Sequence, residues 1–174
     1  MTSPTALLLM RIVHVFVGVF WAGAVLFIAG FLFPSVRAAG PAGGQIMQQL
    51  TLVRRMPVWL MGAAVLTLLS GFGLYWHDGM VSGSAWFGSG PGKVFGLGGL
   101  LALAAAVLGM AVNSPTAKRL GALMGAIQAA GRAPSADELA EARRLQARLG
   151  TATLTVAILV GLATLAMAIA RYVA

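Results

Sequence analysis

The run Arg11-Ile-Val-His14-Val-Phe-Val-Gly18-Val-Phe-Trp21-Ala-Gly23 decides how this chain must fold. From Ile12 to Phe33, 22 consecutive residues carry no formally charged side chain. As a helix that run is roughly 33 Å long, enough for one bilayer crossing. His14 is an ionisable imidazole inside it, less than one turn from Arg11, and so just below one membrane surface. His14, Gly18, Trp21 and Val25 share one helical face, since the last three follow His14 at spacings of four, seven and eleven. That face offers a ligand, a gap and an aromatic wall, against which a flat cofactor can lie. An ionisable residue in a span is by default a functional site, but polar residues also hold helices together by hydrogen bonds, and Trp is common near interfaces.

Composition agrees with a membrane location. The 174 residues are 59% hydrophobic and 9% charged, with mean hydropathy +0.90. Soluble domains carry roughly a quarter charged residues, so the chain reads as an integral membrane protein. Net charge is +8, yet the basic residues form no stripe interleaved with aromatics, which argues against a nucleic-acid partner. The chain holds no cysteine, which excludes disulfides, thiolate zinc sites and cysteine-ligated iron–sulfur clusters. The N-terminus lacks a basic n-region, and its apolar run is too long for a cleavable signal.

Four spans follow, over residues 6–33, 56–76, 93–112 and 149–170. Pro34 is expected to end the first, and His77-Asp78-Gly79 to close the second. Gly40-Pro-Ala-Gly-Gly44 reads as a turn, and Pro57 lies in the first turn of span two. Trp86-Phe87, in a Gly/Ser/Pro-rich loop, read as interfacial anchors. Gly96, Gly98, Gly99 and Gly109 permit close helix contact in span three, which Asn113-Ser114-Pro115 is expected to break. Ser135 and Glu138 have capping-box spacing, so a new helix starts there and runs on into span four. The fold class is all-α: an integral membrane four-helix bundle over residues 1–174, without a repeat or second domain.

Nine of the twelve Lys and Arg residues fall between spans one and two or between spans three and four; Arg11, Lys93 and Arg171 lie on the other side. The positive-inside rule then places both termini outside a plasma (inner) membrane and brings His14, His77 and Lys93 near the same outer face.

His14 and His77, the only histidines, sit at adjoining ends of spans one and two. Two imidazoles from neighbouring helices are the usual axial pair of a b-type haem. Ser70 and Gly73, seven and four residues before His77, give a small helix face for a porphyrin, as Gly18 does beside His14. Alternatively, His77 with Asp78 and Gly79 is only a polar helix end. Arg11 can pair with a haem propionate. Lys93 can do the same, bind an anionic substrate or supply a proton, or it can simply snorkel to the interface. Nine methionines make Cu(I) the rival ligand, but they are scattered, and only Met80 lies near His77. No Ser–His–acid set, phosphate-binding glycine motif or paired intramembrane carboxylates are present.

His14-x6-Trp21-Ala-Gly, Pro34, Arg54-Arg55, Ser70-Gly-Phe-Gly-Leu-Tyr75, the interval from Trp86 to Lys93, and Arg119-Leu120 carry a resemblance. With them the chain, as far as about Leu120, resembles the superfamily of CopD-type copper-resistance membrane domains and HemJ-type protoporphyrinogen oxidases. The HemJ-type resemblance implies that His14 is a haem ligand and that Lys93 is needed for activity. The expectation is a membrane haem b protein in electron transfer or in quinone- or porphyrin-linked oxidoreduction. Its partners would be the lipid bilayer and a quinone, a porphyrin or a redox protein, with self-association compatible. Copper handling in the CopD manner and a cofactor-free structural membrane subunit stand as the alternatives.

Overall fold

The computed structural model describes residues 3–173, and every regular element among them is helical. The long helices are α1 (Pro4–Ala38), α3 (Met56–Ser82), α5 (Gly90–Ala129) and α6 (Ala136–Ile169); α2 (Pro41–Gln48) and α4 (Ala85–Gly88) are short connectors. Each of the four long helices is long and apolar enough to span a membrane. Together they make an all-α bundle of membrane-length helices. In lipid a helix satisfies its own backbone hydrogen bonds, so apolar runs of this length have little alternative.

Two proline breaks expected from the sequence do not occur. The first helix continues past Pro34 to Ala38, and α5 continues through Asn113-Ser114-Pro115 to Ala129. In both places a widened π turn comes first. The N–H of Phe33 bonds to the carbonyl of Ile28, and the N–H of Ser114 to that of Gly109. Each proline follows two residues after the π segment, Ile28–Leu32 or Gly109–Asn113. A proline cannot donate its turn's hydrogen bond and presses on the carbonyl four residues back. A π turn immediately before it opens the backbone and lets the helix go on. Likewise His77-Asp78-Gly79 lies within α3, which ends only at Gly83, where φ is 80°.

The connection between α1 and α3 is also more helical than its composition suggests. Gly40, at φ 55°, makes the turn, and Pro41 opens α2, which runs through a further π segment to Val53. Arg55, left-handed at φ 51°, then reverses the chain into α3, with Pro57 in the first turn. Ser135 caps α6 through a complete capping box with Glu138, and α6 runs unbroken from its charged start into the span.

The helices form a ring in which α1 packs on α3 and α6, and α5 packs on α6 and α3. Small side chains fill the middle. Ala63 and Ala64 of α3, Ala102, Ala105 and Ala106 of α5, and Ala157 and Ala163 of α6 are buried with Trp21, Val25, Val156 and Val160. Small residues let helix backbones approach where no hydrophobic gain drives association in lipid. Gly98 shows this directly, since a Cβ there would lie 3.3 Å from both the Ala163 carbonyl and the Ala166 Cβ. Gly96 faces the Tyr75 hydroxyl, whereas Gly99 and Gly109 face open space. Large side chains such as Phe16, Phe31, Leu69 and Leu165 point outward, as a lipid-facing surface requires.

Candidate functional site

His14 and the small and polar residues that face it lie along the seam between α1 and α3. The two helices are antiparallel there. Along α1 from its N-terminal turns, Met10 meets Gly73, His14 meets Gly71 and Ser70, and Gly18 meets Thr67. His14 Nδ1 lies 2.9 Å from the Thr67 carbonyl oxygen. A carbonyl only accepts, so Nδ1 carries the proton and donates it. Ser70 Oγ lies 3.4 Å from the same nitrogen and itself donates to the Leu66 carbonyl at 2.6 Å. The Cε1–Nδ1 edge of the imidazole is packed against α3, and a Cβ at Gly71 would be 2.6 Å from His14 Cε1 and 3.0 Å from Nδ1.

The remaining notches in this seam are also filled. Gly18 receives Thr67, whose methyl would stand 3.3 Å from a Cβ at that position. Gly73 receives the Met10 sulfur, which would stand 2.6 Å from a Cβ. Trp21 is 5% exposed and belongs to the alanine-rich core. The face of His14, Gly18, Trp21 and Val25 is therefore a helix–helix contact, not a platform open to a flat ligand. A porphyrin between α1 and α3 would have to expel Met10 from Gly73, expel Thr67 from Gly18 and break the His14–Thr67 bond. The residues as arranged do not fit haem.

The two histidines are not level with one another. His14 lies opposite residues 67–71 of α3, so His77 is at least six residues further along that helix, an offset of roughly 9 Å or more. The nearest charged partner of His77 is its neighbour Asp78, with Nδ1 3.7 Å from Oδ1. Lys93 is exposed in the first turn of α5, the helix diagonally across the ring from α1. Arg11 is exposed in the N-terminal part of α1. No group of three or more His, Asp or Glu side chains that could hold a metal occurs among the described residues.

Several residues that matter to this seam do not stand out in the sequence. Thr67 and Gly71 are the counterparts of His14, and the signal for them was slight: Thr67 and Ser70 are the only Ser or Thr residues between Met56 and Trp76. A second polar contact joins α5 to α6, where Asn113 Nδ2 donates to Thr153 Oγ1 at 3.2 Å. On the same membrane side Arg37 reaches the Gln146 carbonyl at 3.4 Å and fills the space over Gly150. Trp86 and Phe87 pack into an aromatic cluster with Tyr75 and Phe95.

The fold and this seam define a multi-span α-helical membrane protein. Comparison with family models, curated proteins and solved structures gives no match for the chain, so the CopD- and HemJ-type resemblance rests on the quoted motifs alone.

Proposed function

We propose that the chain serves as a cofactor-independent structural subunit of a membrane, with His14 as an interhelical lock. One observation carries this reading. The imidazole is committed to α3, with Nδ1–H on the Thr67 carbonyl and Cε1 against Gly71. Interhelical hydrogen bonds from polar side chains are a common way to fix a membrane helix pair. The haem reading, and with it electron transfer, quinone or porphyrin chemistry, would require that seam to open. The positive-inside rule supports a placement with both termini outside a plasma membrane, since nine basic residues lie on the opposite side.

Copper handling keeps one specific support. Met10 and His14 stand one turn apart on the same face of α1. The Nδ1–H tautomer leaves His14 Nε2 with a lone pair, and thioether with imidazole is a donor set suited to Cu(I).

Absorption spectroscopy of the purified protein, expressed with haem precursor supplied, tests the proposal. The expected result is no b-type Soret or α band and no stoichiometric copper by elemental quantification. A b-type spectrum that His14→Ala abolishes would overturn the structural reading in favour of haem. Stoichiometric copper lost in Met10→Leu would overturn it in favour of copper.

A further inference from the structure

Two apolar grooves flank Gly62 on the outward face of α3. The larger, about 600 Å³, runs past Met61 and Val65 and reaches Ser114 and Lys118 of α5. The smaller, about 520 Å³, lies on the other side, against Phe16 and Phe20 of α1. Val58, Gly62 and Leu66 line both, so they form the ridge between the grooves, and Gly62 makes a saddle in it. A Cβ at Gly62 would meet nothing within 4 Å. From Pro57 to Leu66 the larger groove follows nine residue steps of helix, roughly 14 Å, which is close to one leaflet's half of the hydrocarbon core.

The charge is concentrated at one end. Lys118 lies on the α5 extension, at the end of the groove where α3 begins, and Arg54-Arg55 immediately precede that helix. The ion pairs among the described residues are His77–Asp78, Arg132–Glu138 and Arg144–Glu141, so Lys118, Arg54 and Arg55 have no carboxylate partner there. A hydroxyl from Ser114 completes the rim. Unpaired cations over a leaflet-deep apolar groove between spans are complementary to an anionic headgroup with acyl chains below it.

We propose that this face is a binding site for one anionic diacyl phospholipid, with its phosphate at Lys118 and its two chains astride Gly62, one in each groove. Lys118 supplies the charge and Ser114 a hydrogen bond, while the saddle sets where the chains diverge. The smaller groove borders the α1–α3 seam at Val17 and Leu66, but neither groove is lined by His14, Thr67 or Gly71.

Native mass spectrometry of the full chain, released from nanodiscs of phosphatidylcholine doped with phosphatidylglycerol, tests it. The expected result is one phosphatidylglycerol retained in preference to phosphatidylcholine. Lys118→Gln should weaken that preference by about fivefold, and Lys118→Arg should keep it. Gly62→Phe should abolish retention with every charge in place, because the ring fills the saddle. Equal retention of phosphatidylcholine, unchanged retention in Lys118→Gln, or displacement of the adduct by inorganic phosphate would each overturn the site.

Discussion

His14 on α1 donates from Nδ1 to the backbone carbonyl of Thr67 on α3, across 53 residues of sequence, at 2.9 Å. The acceptor is a main-chain atom, so no substitution at Thr67 removes it. The imidazole is held against α3 by the helix itself, and Gly71 leaves the space for it.

That arrangement predicts a strong coupling between His14 and Gly71. Gly71→Ala should destabilise the α1–α3 pair by about 1–3 kcal/mol, because its Cβ overlaps the imidazole. His14→Ala should cost about 0.5–2 kcal/mol, the range of interhelical hydrogen bonds in membranes. In the double variant the overlap is gone, so the combined loss should fall clearly below the sum. Additive losses in a double-mutant cycle, measured by thermal unfolding in detergent, would show that the two side chains do not meet.

Close approach of α5 and α6 is concentrated at Gly98, not spread over the glycines of that span. Gly98→Val should therefore cost about 1–3 kcal/mol through contact with Ala163 and Ala166. Gly99→Ala meets only open space and should be neutral, or stabilising by up to about 1 kcal/mol, since alanine favours a helix over glycine. Comparing the two melting temperatures checks this directly, and equal effects would contradict the packing.

Outside the membrane the capping box gives α6 an acid-sensitive start. Arg132 donates to both carboxylate oxygens of Glu138, and the Ser135 N–H donates to one of them. Arg132 first, and then that backbone hydrogen bond, hold the Glu138 carboxyl down to about 2 from 4.5. A depressed carboxyl stabilises the fold fully above its unfolded value and loses that contribution as pH falls through its folded value. Amide exchange at residues 136–140 should accordingly be pH-independent, after correction for intrinsic rates, above about 4.5 and rise towards pH 2. Glu138→Gln should remove that transition, and an unchanged profile in the variant would assign it elsewhere.

Topology is testable because the chain has no cysteine of its own. The basic asymmetry predicts that a cysteine at Ser3 reacts with an impermeant maleimide from outside intact cells, while one at Ser135 does not. Labelling of Ser135 alone would invert the orientation and move the groove at Lys118 to the outer leaflet.

The sequence by itself determined the number of spans and their helical state. Uncharged runs such as Ile12–Phe33 are long enough to cross a bilayer, and lipid leaves the backbone no partner but its own helix. It also determined the start of α6, because Ser135 and Glu138 satisfy one another within three residues. Only the tertiary structure decided what His14 touches. A face with His14 and Gly18 one turn apart reads the same for a ligand as for a neighbouring helix until the register on α3 is known, and that register depends on side-chain fit over the whole seam. The same limit applies to the prolines. Whether Pro34 ends a helix or rides on a π turn depends on whether packing on α6 rewards the helix for continuing, which no local spacing reveals.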